Sequence, residues 1–312
     1  MSSKIETVIV LGGSGNLGAL VVSALVNAGF KVSAAVRQSS AATYPESVTV
    51  LKTDYSKDDL VSIFQGQNAV VSCIPRTQVA DQKAVVDACV NAGVKRFLPS
   101  EYGGDTTLPD IEKRISFTAG KKEFGEYLVG KESEGLTWTR VFTGPFFDWM
   151  LTQSARQFKL DMGVMGWDLE SFKVTIFDTG DQEFSCTNIK TAAEAIASVL
   201  KHENATKNQN VYVSSFPRLT QNEVLAAIEG LSGRKFEVTQ ASTEDLAAKG
   251  EARIKRGEWL QGYIETISAS CYAPWGYNTF GDRAEKWNAI LELPKEDLDD
   301  TLTRVLRMSG TA

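Results

Sequence analysis

A strand signal, three evenly spaced glycines and a helix signal follow one another directly near the start of the chain. Residues 7–11 (TVIVL) form a continuous apolar, β-branched run, which is typical of a strand buried on both faces. Residues 17–29 then place apolar side chains at helical spacing. Between the two runs stand Gly12, Gly15 and Gly18, in the pattern G-x-x-G-x-x-G. A strand that turns through such glycines into a helix predicts a loop that approaches a phosphate group.

Each glycine of this loop has a separate expected role. Gly12 allows the tight turn, Gly15 lets the backbone approach a pyrophosphate, and Gly18 lets the helix pack closely against the strand. The helix N-terminus presents free N–H groups and a partial positive charge to the anion. No G-K-[ST] follows, which argues against a Walker loop. We therefore expect a bound dinucleotide, held by Gly12, Ser14, Gly15, Asn16, Leu17 and Gly18.

Strand and helix signals alternate through the first half of the chain. Apolar helical segments separate the successive strand signals, and strands joined in this way form parallel β-α-β units. Five or six such units in succession predict an α/β fold with a doubly wound parallel sheet of the Rossmann type. After the first strand, the predicted strands are residues 31–37, 48–54, 68–74, a segment within 95–104, and 136–144.

The pattern changes after Gly144. The sequence becomes aromatic and is punctuated by glycine, and regular helix and strand signals resume only near residue 189. This change predicts a second, smaller α/β lobe that binds the substrate. The expected dinucleotide-binding domain comprises residues 1–152, with about 183–216 returning to the sheet, and the expected substrate lobe comprises about 153–182 and 217–312.

Composition and charge argue against several classes of function. The chain has 312 residues and a formal net charge of −6, so it has no basic excess with which to neutralise nucleic-acid phosphates. No apolar run approaches the roughly 20 residues that span a bilayer, and the N-terminus has no signal-peptide pattern. We therefore expect a cytoplasmic protein with no membrane or nucleic-acid partner. Four dispersed cysteines and a single histidine, His202, argue against a disulfide framework and a metal site.

The residues at the end of the second predicted strand distinguish NAD from NADP. An NAD site places an acid there to bind the ribose 2′-hydroxyl, whereas this chain has Arg37. A guanidinium group binds a 2′-phosphate with a planar fork of donors, so we expect NADP(H) as cofactor. Gln38 and Ser39 add polar groups beside Arg37. Asp54, at the end of the third strand, is placed either to hydrogen-bond the adenine or to form a strand-end turn.

Two lysines compete for the catalytic position in residues 116–131 (SFTAGKKEFGEYLVGK). Tyr127 and Lys131 have the Y-x-x-x-K spacing of many NAD(P) enzymes, but Lys131 lies only five residues before the sixth predicted strand. At about 1.5 Å per residue, that places Lys131 in the last helical turn, far from the cofactor. Lys121 lies fifteen residues before the strand, and Phe117 occupies the position of the usual tyrosine. Lys122 points about 100° away around the helix and fits less well. We therefore expect Lys121 to be the catalytic residue.

Four longer segments have a recognisable pattern: VLGGSGNLGALVVSAL, ADQKAVVDACVNAGVKRFLPSEYGGD, LTWTRVFTGPFFDWML and FDTGDQEFSCTNI. Together they resemble the NmrA-like, isoflavone-reductase-like group of atypical short-chain dehydrogenases, most of all its fungal members. The resemblance implies an NADP-binding Rossmann domain with a smaller substrate domain. Plant members of this group reduce isoflavones, pinoresinol-type lignans or phenylcoumaran benzylic ethers with NADPH, and they keep a lysine while lacking the usual tyrosine. Lys121 is the position that matches that lysine.

The crevice of a doubly wound sheet opens at the carboxyl ends of its strands, where we expect the nicotinamide. Lys121 would stabilise or protonate the negative charge that develops on a substrate oxygen. The expected cofactor contacts near the nicotinamide are Ile74, Pro75, Ser100, Lys121, Pro145 and Phe146, and the expected substrate contacts are Tyr102, Phe147 and Trp149.

The leading interpretation is an NADPH-dependent reductase of an aromatic or conjugated secondary metabolite, of isoflavone, lignan, phenylcoumaran or polyketide type. Such a small-molecule substrate would suit the aromatic-rich second lobe. The alternative, which the resemblance also implies, is a non-catalytic NADP-sensing regulator that binds a protein partner. A sugar-nucleotide epimerase fits less well because the tyrosine is missing. The sequence leaves open whether the chain also pairs with a second copy of itself.

Overall fold

A seven-stranded parallel sheet organises the protein, whose structure is a computed structural model that describes residues 4–74, 82–153 and 164–310. Its strands follow the order β10-β6-β5-β4-β1-β2-β3, and every neighbouring pair is parallel. The order reverses beside β1, which opens a crevice at the carboxyl ends of the strands. The predicted doubly wound parallel sheet is therefore confirmed. The strands are β1 (Thr7–Leu11), β2 (Lys31–Arg37), β3 (Thr49–Thr53), β4 (Ala69–Ser72), β5 (Arg96–Leu98), β6 (Thr137–Phe142) and β10 (Gln209–Tyr212).

Helices alternate with these strands and continue into the second half of the chain. Within the described residues, no helix has both the length and the apolar character that crossing a bilayer requires. Short 3₁₀ turns at Ser116–Thr118 and Lys131–Glu134 flank the fifth helix. The α-helices are α1 (Asn16–Asn27), α2 (Lys57–Phe64), α3 (Gln82–Asn91), α4 (Ile111–Arg114), α5 (Ala119–Gly130), α6 (Phe147–Thr152), α7 (Ile189–Lys201), α8 (Glu203–Thr206), α9 (Gln221–Ser232), α10 (Thr243–Lys255), α11 (Trp259–Tyr272), α12 (Asp282–Ile290) and α13 (Leu298–Ser309).

Both faces of the large sheet are covered, as the continuous apolar character of its strands requires. Successive residues of a strand point to opposite faces. On β1, Val8 and Val10 therefore pack in a core with α1 and α7. Ile9 and Leu11 point the other way and pack with α2, α3 and α5. The two layers of helices fix the position of the strand ends, and the candidate site lies at those ends.

The remaining strands belong to smaller sheets. β7 (Trp167–Asp168), β8 (Lys173–Phe177) and β12 (Glu237–Ala241) form a three-stranded sheet, and β9 (Phe184–Cys186) pairs with β11 (Phe216–Leu219). Large side chains such as Trp167 and Tyr272 fill a separate core beside these sheets. The chain returns to the large sheet through β10, which pairs with β6. This return of the chain to the large sheet supports the predicted boundaries of the two lobes, which remain a proposal.

Candidate active site

The glycine loop joins β1 to α1 with the close contacts that its sequence predicts. Gly12 has a φ of +74°, a left-handed conformation that favours glycine. A Cβ atom at Gly12 would also lie 3.0 Å from the main chain of Cys73, at the end of β4. A Cβ atom at Gly18 would lie 2.1 Å from the carbonyl oxygen of Gly12, so only glycine lets the helix approach the strand this closely. The loop thus leaves no room for a side chain at Gly12 or Gly18.

The N-terminus of α1 is open toward solvent. Gly15 precedes the helix, and no side chain of the described residues caps its first turn. Ser14, Gly15 and Asn16 are exposed, while Leu17 is half-buried. The free amides of this turn and the partial positive charge of the helix end suit an anion such as a pyrophosphate.

An unpaired cation stands at the end of β2. Arg37 is exposed, and within the described residues its guanidinium group forms no ion pair with a carboxylate. Gln38 and Ser39 follow it and are also exposed. The parallel register pairs Arg37 with Thr53 on β3, which brings Asp54 to the same edge of the sheet. This edge therefore combines a free guanidinium group with the exposed start of α1.

Asp54 takes part in a local turn. Its carboxylate accepts a hydrogen bond of 2.8 Å from the Ser56 amide, and this hydrogen bond lowers the pKa of Asp54. One lone pair of the carboxylate is thus committed to the chain after β3. The group remains exposed, which leaves its other acceptor positions accessible to a ligand.

Two tyrosines that no sequence motif selects lie beside the glycine loop. Tyr55 has a φ of +63°, which is uncommon for a bulky residue. Its hydroxyl lies beside the main chain of Gly12 and 3.5 Å from the carbonyl oxygen of Ala35. The Tyr44 hydroxyl is 3.3 Å from where a Cβ at Gly13 would stand. Tyr55 thus reaches from the end of β3 to β2 and the glycine loop, a placement that only the folded chain reveals.

Ile74 and Tyr102 lie at the ends of β4 and β5. The Ile74 side chain is buried and reaches within 3.1 Å of the position of a Cβ at Gly12, so it borders the loop from the side of β4. Pro75 lies outside the described residues. Tyr102 places its buried hydroxyl beside the thiol of Cys73, and burial raises the pKa of both groups, that of Cys73 to about 12. Both groups are therefore neutral near neutral pH.

Lys121 lies in the first turn of α5 and reaches the end of β5. Its Nζ atom donates a hydrogen bond of 2.9 Å to the carbonyl oxygen of Glu101 and lies 3.5 Å from that of Ser100. The carboxylate of Glu101 is 3.4 Å away. The side chain keeps 26% of its surface exposed, so the ammonium group is accessible as well as anchored. Lys121 is thus at the carboxyl edge of the sheet, the edge that also holds the glycine loop.

The rival pair contacts other residues: Tyr127 lies further along α5, and Lys131 begins the 3₁₀ turn that follows it. The Tyr127 hydroxyl donates a hydrogen bond of 2.5 Å to the Asp87 carboxylate on α3. Lys131 forms ion pairs of 2.9 Å with Asp87 and 2.8 Å with Glu134. Both side chains are therefore engaged in a link between α5 and α3.

The segment after β6 holds the remaining residues that the sequence selected. Pro145 accepts a hydrogen bond of 3.0 Å from the Thr187 amide, and Phe146 forms a β-bridge with Thr187. Phe147 is fully buried, with its ring 5.4 Å from that of Phe216, so it belongs to the core of the smaller lobe. Trp149 is half-buried on α6. Of this group, Phe146 and Trp149 retain surface that a ligand can contact.

Aromatic side chains from the C-terminal half meet the start of α5. The Phe117 ring, four residues before Lys121, lies 4.8 Å from the Tyr263 ring on α11. Tyr263 stacks on Trp259 at 5.0 Å, and Trp259 is 45% exposed. These three rings form a continuous aromatic row from solvent to the helix that presents Lys121. Sequence periodicity could not select Tyr263, because the row forms only when α11 packs beside α5.

Comparisons with known proteins agree with this architecture. The model of the NmrA-like family matches residues 4–256. The chain is 29% identical over 304 residues to the oxidoreductase aprR of Aspergillus flavus, covering 96% of this chain and 98% of that protein. It is 28% identical over 260 residues to the isoflavone reductase homolog P3 of Arabidopsis thaliana, covering 79% and 81%.

Solved structures share the fold. The structure of AtPrR2 with NADP+ and (+)pinoresinol has a TM-score of 0.72 at 23% identity, and it covers 98% of this chain and 100% of that one. The structures of pinoresinol-lariciresinol and phenylcoumaran benzylic ether reductases include one with a TM-score of 0.75 at 20% identity, covering 97% and 100%. The family match spans most of the described residues, and the chain belongs to the NmrA-like family.

Proposed function

We propose that the protein is an NADP(H)-dependent oxidoreductase that transfers hydride to an aromatic or conjugated small molecule. The observation that carries this proposal is the position of Lys121, whose ammonium group lies at the same strand edge as the open glycine loop. Relatives named as oxidoreductases and as isoflavone reductase homologs support the reaction class.

The residues at the strand ends fit a phosphorylated dinucleotide. The bare glycine loop and the uncapped first turn of α1 suit the pyrophosphate, and the unpaired Arg37 suits a 2′-phosphate. Structures of relatives in complex with NADP+ or NADPH support this choice. We assign to cofactor binding Gly12, Ser14, Gly15, Asn16, Leu17, Gly18, Arg37, Gln38, Ser39, Asp54, Ile74, Pro75, Ser100, Lys121, Pro145 and Phe146.

Lys121 has the chemistry of a general acid and electrostatic stabiliser. NADPH, when bound, supplies the hydride. Negative charge then develops on the substrate, and an anchored ammonium group stabilises an oxyanion and can donate a proton to it. The hydrogen bond to the Glu101 carbonyl fixes the direction of the ammonium group before a substrate arrives. Phe117 cannot supply the proton that a tyrosine would, so the lysine has the role alone.

The aromatic row beside Lys121 supports a planar, apolar substrate. Phe117, Tyr263 and Trp259 offer ring faces and edges, which bind aromatic ligands with favourable geometry. Tyr102 and Trp149 are proposed as further substrate contacts, while Phe147, which the sequence also selected for this role, is buried in the core of the smaller lobe. We expect an isoflavone, lignan, phenylcoumaran or conjugated polyketide skeleton.

Nicotinamide absorbance tests the proposal. The protein is mixed with NADPH or NADH and a panel of flavonoids, lignans and polyketide enones, and loss of the reduced cofactor is followed. We expect turnover with NADPH for at least one class. Lys121→Met should then lower kcat by ~10²- to 10⁴-fold while NADPH still binds. Lys122→Met is the matched control and should change neither quantity.

Two results would overturn parts of this proposal. Full turnover by Lys121→Met with NADPH bound would remove the lysine from the mechanism. Tight NADPH binding with no consumption for any compound would instead support a non-catalytic NADP-sensing regulator that binds a protein partner.

A further inference from the structure

A buried carboxylate lies directly behind the proposed catalytic lysine. Glu101 follows β5, and its side chain is only 2% exposed. One carboxylate oxygen is 3.4 Å from Lys121 Nζ, and the other accepts a hydrogen bond of 3.1 Å from Arg140. We propose that Glu101 is the positioning residue for Lys121, with Arg140 as its fixed internal counterion. This inference rests on the proposed function, in which Lys121 is the catalytic residue.

The surroundings of Glu101 hold its carboxylate in one place. A buried charge is costly unless it is paired and hydrogen-bonded. Arg140 provides the pairing charge from β6, and the Thr106 hydroxyl donates a hydrogen bond of 3.3 Å to the carboxylate oxygen that faces Lys121. Arg140 also donates a hydrogen bond of 2.6 Å to Thr106, which closes a small buried network. Arg140 and Thr106 therefore hold the Glu101 carboxylate in a fixed position just after β5.

The helix that presents Lys121 is adapted to this network. A Cβ atom at Gly125 would lie 2.9 Å from the Arg140 guanidinium group, so α5 passes directly over it only because residue 125 is glycine. The anchor, its counterion and the helix thus form one packed unit. The flexible side chain of Lys121 would otherwise sample many rotamers, and two fixed acceptors on Glu101 restrict it before the substrate binds.

The neighbouring lysine provides an internal control. Lys122 pairs with Glu112 at 3.0 Å, but Glu112 is 27% exposed and Lys122 is 37% exposed. The two lysines are adjacent on one helix, and each has one carboxylate partner. They differ in the burial of that partner and in their distance from the strand ends. Exchanging each glutamate for glutamine therefore separates an anchored lysine from a surface pair.

The test measures acylation of the two lysines in the full-length protein. Sulfo-N-hydroxysuccinimide acetate is added at a fixed pH, and peptide mass spectrometry gives the rate at each lysine. The ion pair with Glu101 and the main-chain hydrogen bond hold the Lys121 side chain against the strand ends, which restricts the approach of the reagent to its nitrogen. We expect Glu101→Gln, which releases this restraint, to raise the acylation rate at Lys121 at least about fivefold without changing that at Lys122. Glu112→Gln should affect only Lys122, and an unchanged Lys121 rate in Glu101→Gln overturns the inference.

Loss of the buried anion leaves Arg140 unpaired, which can prevent folding. The double variant Glu101→Gln with Arg140→Gln removes both charges and is then used, with the same expected rise at Lys121. An unchanged Lys121 rate in this variant overturns the inference equally.

Turnover then tests whether the anchoring serves the reaction. With the compound of the panel that the native protein reduces fastest, Glu101→Gln should lower kcat by about 10- to 100-fold. The KM for that compound and the Kd for NADPH should stay within about twofold of the native values. Added to Lys121→Met, it should cause no further loss, because it acts through the lysine. If Glu101→Gln lowers kcat as much in the Lys121→Met background as in the native protein, Glu101 does not act through Lys121, and its role as positioning residue is overturned. If instead Lys121→Met alone is fully active, the proposed catalytic role of Lys121 fails while the acylation result still stands.

Discussion

The Nζ atom of Lys121 lies 2.9 Å from the carbonyl oxygen of Glu101, which joins the first turn of α5 to the end of β5. Ten residues later, Lys131 contacts Asp87 and Glu134 instead. The two lysines thus contact different regions of the protein, because Lys121 lies in the first turn of α5 and Lys131 follows the other end of that helix. Proximity of a lysine to the strand ends, rather than the local Y-x-x-x-K spacing, selects the candidate catalytic group.

Removing the second pair should leave the reaction unchanged. Tyr127→Phe and Lys131→Met each delete a contact to Asp87 on α3, where no residue of the candidate site lies. We expect kcat and the Kd for NADPH to match those of the native protein, measured by nicotinamide absorbance and fluorescence titration. A loss of turnover comparable to that of Lys121→Met would contradict the assignment.

Gly18→Ala should weaken both the fold and cofactor binding. The new Cβ atom would lie 2.1 Å from the Gly12 carbonyl oxygen, so α1 must move away from β1. We expect the free energy of unfolding to fall by ~1–3 kcal/mol and the Kd for NADPH to rise. Gly230→Ala on α9 is the control, because nothing lies within 4 Å of its Cβ position. Alanine there should stabilise the helix by ~0.5–1 kcal/mol, and thermal unfolding compares the two variants.

Arg37→Gln should reduce the preference for NADPH over NADH. The guanidinium group has no carboxylate partner among the described residues, so its charge is available to a 2′-phosphate. Loss of charge-assisted hydrogen bonds should raise the Kd for NADPH by ~10- to 100-fold. The Kd for NADH should hardly change, since NADH has no such phosphate. Arg307→Gln, at the exposed end of α13, should alter neither value, and an equal loss for both cofactors would argue against this role of Arg37.

The native protein should resist alkylation of its thiols. Burial raises the pKa of Cys73 and of Cys271 to about 12, and that of Cys89 and Cys186 well above its ordinary value. At about pH 8 the thiolate fraction of a group with a pKa near 12 is ~10⁻⁴, and only the thiolate reacts quickly. Intact mass after iodoacetamide should therefore stay unchanged until denaturant is added. Cys73 is half-buried and the other three cysteines are buried, so rapid adduct formation at any of them in the native state would contradict this prediction.

The sequence alone determined the elements whose signal is local. The strand predictions 7–11 and 31–37 agree with β1 and β2, and the prediction 48–54 exceeds β3 by one residue at each end. A strand buried on both faces must be apolar along its whole length, and a close helix–strand contact requires glycine, so both features are written in consecutive residues. The same local logic placed Arg37 at the end of β2.

Tertiary structure decided the contacts between residues that are distant in the chain. Glu101 and Arg140 meet because β5 and β6 are neighbours in the sheet, and Tyr263 reaches Phe117 because α11 packs beside α5. Phe147 shows the converse, since an aromatic residue placed just after a strand end turned inward to the core. Hydrophobic periodicity indicates which residues are buried, but it does not indicate which residues they pack against. Those partners depend on how whole elements pack, and the chemistry around Lys121 depends on them.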